Sequence, residues 1–314
     1  MAENIEMMNS FTLEDLPDLD EVVLAALEMI EERDVPTLDI KQFHRPLVVG
    51  SGNAEATGRI IFADSDAVFA SESNVDEKLK YISDIDEVVI VSASGGKHAP
   101  GLARKALAAG KHVTLITSTA DSPAQRALPP EDIAVHVFPK NREPYTYNTS
   151  TYMAMIAGYT GENARQIRDF IDRQIAPMAK PDFSRYDKYY LIVPPQFSGM
   201  IRMLQVKFIE LFGRNVARDV ESTEYVRHAT TVAPSDELFI SFGTSNDTWG
   251  QPENRLDVPL PDNAGYVAMM AVGYYMVAQI QKAKPQYFKD NIADYCQFIS
   301  GVFGEVIEPI VAGN

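Results

Sequence analysis

Cysteine is almost absent from this chain: Cys296 stands alone among 314 residues. A single thiol forms no internal disulfide and leaves no cysteine-based zinc site to consider. Long apolar runs are missing as well. Nothing approaches the roughly 20 residues that span a bilayer, and the opening MAENIEMMNSFTLEDL is acidic where a secretory leader would be basic and then apolar. A reducing, cytoplasmic setting is the expectation. Positive charge is scarce, with 28 Lys and Arg against 44 Asp and Glu and a formal net charge of −16. A chain this negative gains nothing from counterion release on a phosphate backbone, so nucleic acid is not an expected partner. No helix pairs a carboxylate with a histidine at metal-ligand spacing, and no metal site is expected.

What remains is the composition of an ordinary globular protein, 46% hydrophobic and 23% charged. Its acidity is concentrated: residues 1–34 carry eleven Asp and Glu and only Arg33, a net of −10, which leaves −6 for the other 280 residues. Within that stretch LDEVVLAALEMIEE reads as an amphipathic helix with Val22, Val23, Ala26, Met29 and Ile30 towards one side. A docked acidic arm over residues 1–44 is the expected arrangement.

Past residue 45, apolar β-branched runs alternate with helical periodicity, the pattern of parallel strands covered by helices. RPLVVG, DEVVIVS, KHVTLIT and IAVHVFP are strand candidates, with AEATGRIIF, PGLARKALAAG and SPAQRAL as helical segments between them. STYMAMIAGYTG and NARQIRDFIDRQIAPM close a first half near residue 178. A second start, KYYLIVPPQFSGMIRMLQVKFIELFG, repeats the layout 143 residues later, Lys188 against Arg45. NVARDVES and DELFISFG are further strands, and two long apolar helices complete residues 179–314. The layout predicts a duplicated α/β unit.

Ligands of open parallel sheets bind where strands end and helices begin. The turn GSGNAEATG offers Gly50 and Gly52 for a dinucleotide fingerprint, with Glu72 at the distance of a ribose-binding acid, but Glu55 occupies the third glycine position. No nucleotide cofactor is expected. In SASGGKH, small residues allow close backbone approach, Ser92 and Ser94 add hydroxyls, and Lys97 adds a positive charge. An anion cradle and a ligand-free tight turn are both compatible with these residues.

VFASESNVDE, VVIVSASGGKHAPGLARKALAAGKHVTLIT and YTYNTSTYMAMIAGY, in this order, resemble the SIS (sugar isomerase) domain. LIVPPQFSGMIRMLQVKFIELFG, RDVESTEYVRHAT and NRLDVPLPDNAGYVAMM are similar to a second such unit, as in phosphoglucose/phosphomannose isomerases and the isomerase domain of glucosamine-fructose-6-phosphate aminotransferase. The resemblance implies two tandem SIS units, each a parallel sheet flanked by helices in a flavodoxin-like three-layer sandwich. It also implies a phosphorylated sugar held by Ser92, Ser94 and the backbone of Gly95 and Gly96, assisted by Ser51, Gly52 or Asn53. The family loop has threonine where this chain has Lys97, which leaves phosphate and sulfonate both open as the anion. The lysine of the family's Ser-Thr-Lys segment is missing, since Tyr152 follows Ser150 and Thr151.

Glu210 shares a helical stripe with Val206 and Met203, where a carboxylate is either a buried base of raised pKa or an ordinary solvent-facing group. The resemblance assigns it as the base and places a ring-opening histidine at His228, with Glu224 able to orient the imidazole. His44, His112 and His136 read as structural, and Trp249 as packing. The expected activity is aldose-ketose isomerisation of a sugar phosphate through a cis-enediol, without a cofactor. Deamination of an amino-sugar phosphate, deglycation of a fructosamine phosphate and non-catalytic sugar-phosphate binding are the alternatives. A homodimer is expected from the resemblance and from the apolar surplus of GYVAMMAVGYYMVAQI.

Overall fold

The computed structural model describes residues 3–232 and 236–314. Contacts divide the chain into two compact units, one formed by Glu32–Lys140 and Ser150–Gly161 with Asn314, the other by Met1–Glu31, Asn141–Thr149 and Glu162–Gly313. Packing therefore groups the N-terminal segment with the second half of the chain. The helices α1 (Glu3–Ser10) and α2 (Leu19–Glu32) open the chain, and α2 has the bounds that the apolar periodicity predicts. It buries Leu19, Val22, Val23, Ala26 and Met29. Its acidic residues are matched by partners in the same unit: Glu28 accepts from Asn4 Nδ2 at 2.6 Å and Ile5 N at 3.1 Å, and Glu31 pairs with Arg165 and Arg168. The stretch expected to form one arm, residues 1–44, is divided between the two units after Glu31.

In the first sheet, β1 (Leu47–Val49) leads into α3 (Asn53–Ile61), β2 (Val68–Ala70), α4 (Val75–Tyr81), β3 (Glu87–Val91), α5 (Ala99–Ala108), β4 (His112–Thr117) and β5 (Ile133–Val137). All five strands are parallel, in the order β2-β1-β3-β4-β5. Parallel sheets are covered on both faces, which is why Val88–Val91 are all buried and read as an unbroken apolar run. β1, β3, β4 and β5 match the predicted strands, and β2 does not: β1 is equally short but is a fully buried Leu-Val-Val run, whereas Val68 and Phe69 of β2 are only half-buried and no such run marks them. SPAQRAL holds only a 3₁₀ turn, Gln125–Ala127.

The next elements are β6 (Glu143–Pro144), α6 (Thr149–Thr160), α7 (Ala164–Phe170) and β7 (Lys188–Val193). They are followed by α8 (Ile201–Phe212), β8 (Ala217–Ser222), α9 (Val226–Ala229), β9 (Glu237–Phe242) and β10 (Arg255–Val258). Last come α10 (Tyr266–Ala283), α11 (Tyr287–Phe303) and β11 (Ile310–Val311). β7 to β10 form a second parallel sheet in the order β10-β9-β7-β8, and β11 pairs antiparallel with β6. With β7 set on β1 and β8 on β2, the second order repeats the first over four strands, so the duplication legible in the layout is a duplication of topology.

Two expectations change. The apolar run at the C-terminus is not one helix: α11 stops at Phe303, Gly304 takes the left-handed conformation at φ 70°, and Ile310 and Val311 become a strand. The apolar surplus of α10 is core rather than interface, because the helix is buried from Val267 to Ala278 and again at Ile280 and Gln281. No helix among the described residues is long and apolar enough to cross a membrane.

In α6, Gly158 is placed by close approach. Its carbonyl accepts from Leu38 N at 2.8 Å, and a Cβ there would lie 2.6 Å from the Phe138 ring and closer still to the Pro36 carbonyl. Gly158→Ala would normally add about 1 kcal/mol of helix propensity. Here the collision with backbone wins, and a net loss of about 1–3 kcal/mol is expected in urea unfolding. A stabilised variant would contradict the packing described for this helix.

Candidate active site

β1 and β3 are neighbours, and chain order reverses between them, because β2 lies on one side of β1 and β3 on the other. Loops leaving such a switch point face one crevice. Ser51 and Gly52 emerge exposed after β1, with Asn53 opening α3, while residues 92–98 leave β3 for α5. The two loops thus leave adjacent parallel strands at the same edge of the sheet. Glu55, in the place that excludes a dinucleotide fingerprint, pairs with Arg59 at 2.9 Å.

The second loop is rigidly held. Ser92 N donates to Ile116 O at 2.9 Å, and the Ala93 carbonyl accepts from Ser118 N, Ser118 Oγ, Thr117 Oγ1 and Thr119 Oγ1 at 2.8–3.3 Å. Gly95 adopts φ 60°, and any Cβ would meet Ser122 Cβ at 2.5 Å, so only glycine fits. Gly95 N donates to Ser92 Oγ and Gly96 N to Ser94 Oγ, each at 3.2 Å. The serine oxygens therefore absorb the loop amides, while their hydroxyl protons stay available to an incoming anion. Lys97 is exposed at φ 49°, and the next residue, His98, places Nε2 3.2 Å from Glu72 Oε2. The buried oxygen Asn53 Oδ1 has no hydrogen-bond partner among the described residues.

In the other unit, α8 places Met203, Lys207 and Glu210 along one stripe at i, i+4 and i+7. Lys207 is 0% exposed. Its Nζ donates to Glu210 Oε2 at 2.7 Å, to Tyr147 O at 2.9 Å and to Thr146 O at 3.5 Å. The same ammonium lies 5.2 and 5.3 Å from the ring centroids of Tyr147 and Tyr274. The carbonyls are presented by a turn in which Thr146 (φ 76°) and Asn148 (φ 45°) are left-handed, an arrangement that costs about 1–3 kcal/mol at each such residue and persists only where its surroundings impose it. Glu210 keeps 18% of its side chain exposed. Burial raises its pKa, and the Lys207 charge and hydrogen bond oppose that rise. The carboxylate is thus accessible, poorly hydrated and held in one direction, as a proton-transfer base must be.

Lys207 escaped the sequence reading. The available signal was a lysine inside the apolar stripe of MIRMLQVKFIELFG, three residues before the carboxylate. His228 and Glu224 are both exposed around the short α9. His228 Nε2 accepts from Arg227 Nε at 3.3 Å, and among the described residues neither Glu224 nor Glu210 bonds to it. The expected orienting role of Glu224 has no geometric counterpart here. Trp249 packs against Tyr190, Ile192, Val226 and Phe239, as its packing reading anticipates.

No family model and no curated protein matches the chain. Solved structures do. The C-terminal domain of glucosamine-fructose-6-phosphate aminotransferase from Francisella tularensis is similar at TM-score 0.59 and 12% identity, over 90% of this chain and 97% of that one. Glucosamine-6-phosphate deaminase from Thermotoga maritima gives TM-score 0.60 and 16% identity, over 84% and 92%. Tagatose-6-phosphate ketose/aldose isomerase from Escherichia coli gives 0.54 and 15%, over 85% and 88%. At these identities the likeness establishes the fold, two tandem SIS units.

Because burial raises the Glu210 pKa in the folded state alone, the folded protein holds this proton to higher pH than the unfolded chain. Wild type should therefore lose stability relative to Glu210→Gln as pH rises from 4.5 through the raised value, with a slope of up to about 1.4 kcal/mol per pH unit. Urea unfolding of both proteins over this range checks the sign. A difference independent of pH would mean that the carboxyl titrates as it does in water.

Proposed function

We propose that this protein interconverts the aldose and ketose forms of a phosphorylated sugar by proton transfer through a cis-enediol, with Glu210 as the base. The observation that carries the reading is the Lys207–Glu210 pair on α8: a carboxylate of raised pKa, aimed by a fully buried ammonium, in a fold shared with sugar-phosphate enzymes. Isomerisation requires one group to remove the proton beside the carbonyl and return it to the adjacent carbon. A single carboxylate serves both steps, since it leaves the first as a carboxylic acid. Stabilising the enediolate oxygen calls for positive charge, and Lys207 supplies it through the Glu210 contact without being a free donor itself.

The anion is assigned to the loop of the other unit. Ser92 and Ser94 offer hydroxyl protons and Lys97 a positive charge, while Ser51, Gly52 and Asn53 follow the neighbouring parallel strand β1. The two roles belong to different compact units, and each rests on geometry within its own. Lys97 acts as a point charge where a threonine would give one directed hydrogen bond, which admits a sulfonate as readily as a phosphate. His228 is assigned ring opening on the strength of the resemblance, and its imidazole is exposed.

A second reading keeps the fold and changes the chemistry. In deamination, glucosamine 6-phosphate and water would give fructose 6-phosphate and ammonia. The similarity to a glucosamine-6-phosphate deaminase favours keeping this alternative.

Proton NMR in deuterated water over a panel of hexose phosphates, glucosamine 6-phosphate and sulfosugars separates these reactions. The expected outcome is ketose-to-aldose conversion with deuterium at C2 and no ammonia. Glu210→Gln should lower kcat by about 10²–10⁴ with little change in KM, and Ser94→Ala should raise KM about tenfold, the cost of one hydrogen bond to a charged group. Binding without turnover across the panel, or a fully active Glu210→Gln, would rule out the isomerase.

A further inference from the structure

The second sheet has a cleft at the place that corresponds to the loops after β1 and β3 in the first. β9 flanks β7 on the side opposite β8, so the chain order reverses between β7 and β9 as it does between β1 and β3. Segments following β7, β9 and β10 enclose a cleft of about 570 Å³ there, within the range of small-molecule sites. Its lining differs in kind from the first loop. Phe197 contributes an apolar surface, Thr244 and Ser245 contribute hydroxyls, and Asp257 and Asp262 contribute carboxylates, while among the described residues no lysine, arginine or histidine lines it.

A helix N-terminus also borders this cleft, since Asp262, Asn263 and Ala264 lead into α10. Its free amides are already taken. Gly265 N, Val267 N and Ala268 N donate to the Glu162 carboxylate at 2.9, 2.8 and 3.0 Å, which neutralises the positive end of the helix dipole. A phosphate entering the cleft would meet two carboxylates and, among the described residues, no cationic side chain to offset them, only neutral hydroxyl and amide donors. An ammonium would meet the reverse. Asp257 is fixed for such a role: its Oδ1 accepts from the buried Ser241 Oγ at 2.6 Å and from Asn246 N at 3.0 Å, and among the described residues Oδ2 accepts no hydrogen bond. Hydroxyls beside a carboxylate and an aromatic wall match the hydroxyls and amine of a sugar rather than its phosphate.

We propose that this cleft is a second small-molecule site, which takes an unphosphorylated, amine-bearing sugar. The duplicated unit then has two ligand sites at equivalent places in its topology, one selected for an anion and the other for a cation. The second stands on its own lining and does not depend on the isomerase reading.

Isothermal titration calorimetry with glucosamine, glucose, N-acetylglucosamine and fructose 6-phosphate tests it on the full chain. Glucosamine is expected to bind about tenfold or more tightly than either uncharged sugar. Asp257→Asn should weaken glucosamine about tenfold and leave fructose 6-phosphate unchanged. Asp262→Asn, in an exposed position, should weaken glucosamine in the same direction and serves as the test if Asp257→Asn does not fold. Absence of glucosamine binding, no preference over glucose, or competitive displacement of glucosamine by fructose 6-phosphate would overturn the proposal. Unchanged glucosamine affinity in both folded variants would do so equally.

Discussion

An ammonium group removed from water has to be resolvated by the protein, and in this chain that constraint falls on Lys207. Leaving such a charge unpaired costs several kcal/mol, so its surroundings are narrowly specified. Two main-chain carbonyls, two aromatic faces and one carboxylate supply what water would. The carbonyls require the left-handed turn at 146–148, the aromatic faces require Tyr147 on that turn and Tyr274 on α10, and the carboxylate requires Glu210 one helical turn further along α8. Tyr147 is in turn fixed by Gln281 on α10, whose Nε2 reaches its hydroxyl at 3.1 Å. Burial pushes the Tyr147 phenol well up, so it remains neutral beside the lysine. A single desolvated charge thus organises α8, α10 and the turn before α6.

The same logic of compensation separates the two crevices. Both sheets end in a loop of small and hydroxylic residues at a reversal of strand order, which duplication of the topology guarantees. Their electrostatics were then set by different means. In the first, Ser92 and Ser94 accept from the loop amides of Gly95 and Gly96, and Lys97 is the charged residue of the loop. In the second, Glu162 occupies the amides at the start of α10, and Asp257 and Asp262 turn the remaining cleft acidic. Equivalent backbone positions carry different side chains because loop residues vary independently of the strands that bear them.

Much of this was legible beforehand. α2, β3, β4 and the strand that opens the second half stood out because each is a local pattern, an apolar stripe or an unbroken apolar run. β2 and the C-terminal strand were not, since both are short and mostly half-buried and lack the fully buried apolar run that marks the equally short β1. α10 illustrates a different limit. Its apolar surplus was plain, but a helix that is apolar all round looks the same whether it faces a subunit interface or an interior.

Sequence by itself determined the layered architecture and the duplication, because these follow from spacing within a few tens of residues, whereas the anion-loop residues and Glu210 became candidates through the resemblance to the SIS domain. Only the tertiary structure decided what Glu210 is held by. The carbonyls of Thr146 and Tyr147 lie 61 and 60 residues before Lys207, and no local pattern announces that they converge on it. Likewise, whether Glu224 meets His228, or Glu162 caps α10, depends on how distant segments are brought side by side. Packing makes those pairings, because a buried charge or a helix end accepts whichever partner the fold delivers.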